Sequence, residues 1–128
     1  MDYYFNKTIN APIKEVYDRT IEALKDVGFG VITEIDMKEK FKEKLGIDYK
    51  KYYILGACNP GIAHEALQME EYLGILLPCN VIVFEREDRK SEVACVNAVS
   101  IMRITGSEEL AEVAETVNDK LIQALESM

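Results

Sequence analysis

The sequence predicts an α+β fold, a two-layer sandwich in which a mostly antiparallel sheet is packed by helices. Three observations carry this. Segments with period-two apolar patterning alternate with segments at helical spacing, in the order β-α-β-α-β-α-β-β-α. The last two strands are parted only by Glu87-Asp88-Arg89-Lys90, a hairpin turn. No glycine-rich phosphate loop follows any strand, which disfavours a nucleotide-binding doubly wound sheet.

Residues 2–9 read as the first strand, with Tyr3, Phe5, Lys7 and Ile9 on one parity. Asn10-Ala11-Pro12 starts a helix capped at Asn10 or Ala11, with proline in its first turn. Ile13, Val16, Tyr17, Thr20, Leu24 and Val27 recur at helical spacing, and Gly28 ends the helix as a left-handed residue. Phe29 to Ile35 is the second strand, where Gly30 predicts a bulge or a close approach. Asp36 and Glu39 form a capping box for a short helix with an apolar stripe at Met37, Phe41 and Leu45, stopped by Gly46.

Tyr49 to Ala57 is the third strand, and its apolar residues fall on both faces, as in a central strand. Asn59 then caps a helix that begins at Pro60. Ile62, Ala63, Ala66 and Leu67 are its buried stripe, and the small alanines predict close packing on the sheet. Asn80–Arg86 and Ser91–Asn97 make the hairpin, and Cys95 shares Val93's parity, a core position. The stretch from Ala98 to Gly106 is a connection, with Ile101, Met102 and Ile104 partly covering the core. Ser107 caps the last helix, whose buried face is Leu110, Val113, Ala114, Val117, Leu121, Leu125 and Met128.

A chain of 128 residues is the size of one domain, 1–128, and can bury a core without disulfide or metal staples. The net charge of −8 opposes a duplex nucleic-acid surface, and the lysines from Lys38 to Lys51 are interrupted by Glu39, Glu43 and Asp48. No nucleic-acid partner is expected. The N-terminal residues lack a basic head and an apolar h-region, and no apolar run is long enough to span a membrane. A cytoplasmic protein with three reduced cysteines is the expectation, and the odd count leaves at least one outside any intrachain disulfide.

The chemistry is concentrated between Leu55 and Val83. Two cysteines are each followed by asparagine, Cys58-Asn59 and Cys79-Asn80, and the only histidine, His64, lies between them. Cys58 stands where a strand gives way to a helix, a place that stabilises a thiolate, and also one where a small apolar residue packs. Cys58 with His64 would be a nucleophile and its base, although no third, orienting residue is evident. Cys58, His64 and Cys79 would give two sulfurs and a nitrogen to a soft metal ion, Zn or Cu, although their spacing follows no strong ligand pattern. Asn59 and Asn80 read as caps or turn residues whose amides, joined by Glu65, would also suit a small polar ligand held between the two loops. Tyr49, Tyr52 and Tyr53 suit the edge of a pocket or a subunit interface.

The same blocks carry a resemblance. Gly28-Phe29-Gly30-Val31, Lys44-Leu45-Gly46, Tyr53 to Pro60, Ala63 to Leu67 and Gly74 to Val81 resemble the DUF302 family, a prokaryotic domain family of undefined function. The resemblance spans nearly the whole chain, and the two Cys-Asn blocks in this order make it specific. It departs at Ala98-Val99, where the family usually carries Asp-Pro after the last strand. The resemblance implies a compact α+β domain similar to TATA-box-binding-protein-like folds, often a homodimer, and no known reaction. Three functions therefore stand side by side. One is a small-ligand or metal-ion binding module at the two Cys-Asn loops. Another is a thiol enzyme or redox protein using Cys58 with His64. The third is a structural or interaction domain whose cysteines only pack.

Overall fold

The computed structural model describes residues 2–128. The strands are β1 Tyr4–Ile9, β2 Gly30–Asp36, β3 Tyr52–Cys58, β4 Cys79–Glu85 and β5 Ser91–Val96. They form one sheet in the order β1-β5-β4-β3-β2, and every neighbouring pair is antiparallel. The helices are α1 Ile13–Asp26, α2 Met37–Leu45, α3 Pro60–Met69, α4 Ala98–Met102 and α5 Glu108–Glu126. The predicted α+β class and strand succession are those observed. The addition is α4, a short helix where a plain connection was expected.

Register decides which face of the sheet is core. Phe5 pairs with Cys95, Cys95 with Val81, and Val81 with Leu55, a row of side chains that alternation puts on one face. Leu55, Val81, Val83, Val93 and Cys95 on that face are all buried, together with Val16 and Leu24 of α1 and Leu121 and Leu125 of α5. This is the layer that the helical spacings of α1 and α5 predicted. Ile104, expected to help cover the core, is exposed, because the chain leaves α4 through a 3-10 turn into Gly106 at φ +71°.

Local details place the loops around β3 and β4. Helix α1 starts later than expected, with Pro12 as its N-cap, since the Ala11 carbonyl accepts from the Ser91 hydroxyl at 2.9 Å. The bulge in β2 falls between Val31 and Thr33 rather than at Gly30. Asp36 accepts from the Glu39 amide at 3.0 Å, and Gly46 closes α2 at φ +67°, both as the sequence implies. Nothing on α2 is buried, however, so its apolar stripe is not core, and Leu45 is 65% exposed. Asn59 caps α3 by accepting from the Ile62 amide at 3.1 Å, and Ser107 caps α5 by accepting from Leu110 at 3.2 Å. The chain reaches β4 through a 3-10 helix, Glu71–Leu76, and a cis Leu77–Pro78 peptide.

Candidate functional site

Antiparallel pairing of β3 with β4 sets Ala57 directly opposite Cys79. The loop leaving β3 and the loop entering β4 therefore lie side by side at one end of the sheet. Beside them, α3 and α5 line a cavity of ≈ 290 Å³ that opens to solvent on one side. Phe29, Leu73, Cys79, Met102, Leu110 and Val117 are buried around it, and Ile32 and Leu67 are its exposed rim. Cys58, half-buried, and Asn59 also line it.

The stripe on α3 explains the space. Ile62, Ala63, Ala66 and Leu67 all face this cavity, yet only Ala66 is buried and Leu67 is 39% exposed. The alanines were expected to bring α3 close against the sheet. Instead Ala57, Ala63, Ala66 and Ala114 stand around the cavity and leave it open, since methyl side chains are too short to fill it.

The lining is almost wholly apolar, and two cysteines belong to it. Burial, with the neighbouring Cys58 as a lesser cause, pushes the Cys79 thiol up to about 11. Cys79 is therefore a neutral thiol near pH 7. Cys95, one strand further in, is pushed up to about 12 by burial and then by Cys79. The Asn59 amide is committed to local structure. Its oxygen caps α3, and its nitrogen lies 3.0 Å from where a Cβ on Gly28 would stand. Gly28 has φ +87°, so a side chain there would meet both backbone strain and Asn59.

The other predicted site residues lie elsewhere. His64 is exposed on α3 and sits 3.4 Å from the Gln68 amide nitrogen one turn on, not against Cys58. Glu65 is exposed beside it. Helical geometry is the reason, because Ile62, Ala63 and Ala66 take the inward face and turn His64 and Glu65 out. Among the described residues, no group of three His, Cys, Asp or Glu side chains is placed to hold a metal ion. Cys58, His64 and Cys79 are thus not assembled as a ligand set. Asn80 follows Cys79 in β4 and so points through the opposite face of the sheet. It cannot share a ligand with Asn59 in the cavity.

Asn80 belongs to a second concavity, a groove of ≈ 460 Å³ on the open face of the sheet. Its walls are Tyr3, Tyr4, Tyr52 and Phe84, and Ile82 and Ala94 lie along its floor. Tyr52 and Phe84 stack at 5.3 Å, Tyr49 joins Tyr52 at 6.4 Å, and Phe41 of α2 meets Tyr49 edge-on at 5.1 Å. Lys50 Nζ lies 4.7 Å above the Phe84 ring. Glu92 borders the groove, but its carboxylate is held by Arg86 and by Asn6 Nδ2 at 3.1 Å.

Comparison with known proteins identifies the family. The family model described as "Domain of unknown function DUF302" matches residues 5–128. The chain belongs to the DUF302 family. Among solved structures, the crystal structure of an uncharacterized conserved DUF302 protein from Bacillus stearothermophilus is similar to this DUF302 chain at 26% identity, with a TM-score of 0.90 and 98% of each chain covered. No curated protein matches it. The strand order and antiparallel register described above are therefore a DUF302 architecture.

The raised thiols make the domain alkali-sensitive in a defined direction. Both Cys79 and Cys95 bind their protons more tightly folded than at the ordinary thiol value of 9.0. Their contribution is fully present below about pH 9. It is lost as pH rises through about 11 for Cys79 and about 12 for Cys95, because the unfolded chain ionises first. Tyr52 and Tyr53, also raised chiefly by burial, act in the same sense. Urea titrations between pH 8 and pH 12 should show stability falling, with a flatter fall in a Cys79→Ala/Cys95→Ala variant. An identical slope in the two proteins would contradict the assignment.

Proposed function

We propose that this DUF302 domain is a binding module for a small apolar ligand, held in the cavity at the Cys58 and Cys79 loops. The observation that carries the reading is a ≈ 290 Å³ space with an almost wholly apolar wall beside the buried core. Engineered cavities of about 150 Å³ with similar lining stay dry and take a six-carbon ring. This space suits an alkyl chain or ring system of about six to ten carbons. The polar ligand expected from the two Cys-Asn pairs is replaced by an apolar one, because Asn80 faces away and Asn59 is engaged as a cap. With His64 turned outward, no nitrogen donor faces the cavity, and its apolar lining favours an uncharged guest. The three free thiols support a cytoplasmic setting.

Calorimetric titration with 1-octanol tests this. Saturable binding to the wild type, lost in Ala114→Phe, is the expected result. Ala114 is 1% exposed on the α5 wall, and a ring there occupies the space. Equal binding by the two proteins would remove the cavity from the account.

A second reading concerns assembly and rests on the open face. The outward positions of β3, β4 and β5 are Tyr52, Ile54 and Gly56, Asn80, Ile82 and Phe84, and Glu92, Ala94 and Val96. Only Glu92 among these is charged, and it is buried and paired, in a chain of which 30% is charged. Charge depletion with aromatic enrichment marks the core of a protein–protein contact. Five strands of this length present roughly 500 Å² in projection, and upstanding rings raise that toward the ~800 Å² per partner of a standard interface. We assign the face to homodimerisation. Sedimentation at micromolar concentration should give twice the chain mass for the wild type and the single-chain mass for Phe84→Glu. A monomeric wild type would contradict it.

A further inference from the structure

We propose that two copies of this chain pair face to face about a twofold axis lying along the isoleucine row of the open sheet face, so that Lys50 of each copy donates to Asn80 of the other. The inference rests on the homodimer reading and adds the geometry of that contact. Register divides the outward positions into three rows. Ile35 pairs with Ile54, Ile54 with Ile82, and Ile82 with Ala94, an aliphatic row across four strands. On one side of it Tyr52 pairs with Phe84, the aromatic row. On the other side Gly56 pairs with Asn80, a low row without rings. Phe84 and Asn80 thus lie at opposite ends of β4, about 14 Å apart at four residues of strand rise.

Two side chains on this face have no hydrogen bond or ion pair among the described residues. Lys50 Nζ rests over the Tyr49 and Phe84 rings at the aromatic end, 4.7 Å from the Phe84 centroid. The Asn80 amide is exposed at the other end. Glu92, the carboxylate that borders the groove, is already engaged by Arg86 and Asn6. A copy seated on the face strips water from both Lys50 and Asn80, and each then needs a partner. An axis along β4 would set Lys50 against the partner's Lys50, two facing ammonium groups. An axis along the isoleucine row reverses the ends of one copy relative to the other. Lys50 then meets the partner's Asn80, whose amide oxygen accepts from the ammonium, and the contact occurs twice. Ile82 meets the partner's Ile82, and the Tyr52 and Phe84 rings lie over the partner's low row. Sheets packed in this way stand about 10 Å apart, a gap that lysine and asparagine span from opposite sides.

The experiment is an NOE spectrum of the wild-type chain, with its mass measured by sedimentation at the same concentration. The Phe84 ring and the Asn80 side-chain amide are too far apart within one chain to give an NOE, so a cross-peak between them reports contact between copies. The expected result is twice the chain mass together with that cross-peak. Lys50→Ala and Asn80→Ala should each weaken dimerisation at least about tenfold, and the double variant should be no weaker than the weaker single one. A fold check by circular dichroism accompanies each variant. Twice the chain mass without the cross-peak, or losses that multiply in the double variant, overturns this arrangement and leaves the homodimer reading standing. A single-chain mass overturns both.

Discussion

Replacing Asn118 with leucine should cost about 2–4 kcal/mol of stability, although the side chains are close in size. Asn118 is 8% exposed on the inward face of α5, the face that otherwise holds leucine, valine and alanine. Its Oδ1 accepts from the Ala98 amide at 2.7 Å, and its Nδ2 donates to Asn97 Oδ1 at 2.9 Å. Asn97 in turn donates to the Asp2 carbonyl at 3.0 Å and caps α4 through the Ser100 amide at 3.2 Å. One amide thus ties α5 to the start of α4 and, through Asn97, to the chain ahead of β1. Leucine leaves the Ala98 amide without its acceptor in a buried site and removes one donor from Asn97. The consequence reaches the cavity, because α4 carries Met102 into its wall. Urea unfolding measures the loss, with Glu115→Ala on the solvent side of α5 as a control expected to stay within about 0.5 kcal/mol. A leucine variant as stable as the control would mean that the network contributes little.

The second large effect is expected at Gly56. A Cβ built there would stand 2.2 Å from Thr33 Oγ1 and 2.7 Å from Pro78 Cγ. Thr33 can turn its hydroxyl away, but the proline ring cannot fold aside, so alanine must push the β3–β4 junction apart. Overpacking of this kind costs about 1–3 kcal/mol. The displaced groups adjoin the site, since Ala57 and Cys79 form the next cross-strand pair. Gly56→Ala should therefore weaken octanol binding as well as stability. Adding Thr33→Ala should restore part of the stability, with the Pro78 contact left to account for the rest. No loss in Gly56→Ala, or no recovery in the double variant, would contradict the close approach.

Much of the architecture was legible because it follows from periodicity and punctuation. The alternation in β4 and β5 and the spacing in α1 and α5 each had one reading, and Asn59, Asp36 and Ser107 cap helices as their residue types require. Where reading failed, a long-range contact decided. Pro12 became the cap of α1 because Ser91, far along the chain, takes the Ala11 carbonyl. Asn118 is not part of the apolar spacing of α5, and its meeting with Asn97 and Ala98 is what makes it core.

The site divided in the same way. The functional readings required the Cys58 and Cys79 loops to meet, and the register brings the two loops together through the Ala57–Cys79 pair. Its character was misjudged. Alanine at helical spacing signals either close packing or vacant space, and the distance between α3 and α5 decides which. His64 and Asn80 were grouped with the cysteines by closeness in sequence. One faces away by helical pitch and the other by strand alternation, both of which act within a residue or two. Nor did the sequence show that Tyr49 and Tyr52 would join Phe84 in one aromatic row on the open face.

The most direct measurement of the central claim is where an apolar guest lies. In a methyl-resolved NMR spectrum of the wild type saturated with 1-octanol, intermolecular NOEs from the alkyl chain should reach Leu110, Val113, Val117 and Met102, and should vanish in Ala114→Phe. NOEs confined to Ile82 and Val96 on the open face, or none to any methyl at saturating alcohol, would contradict a ligand site at the Cys58 and Cys79 loops.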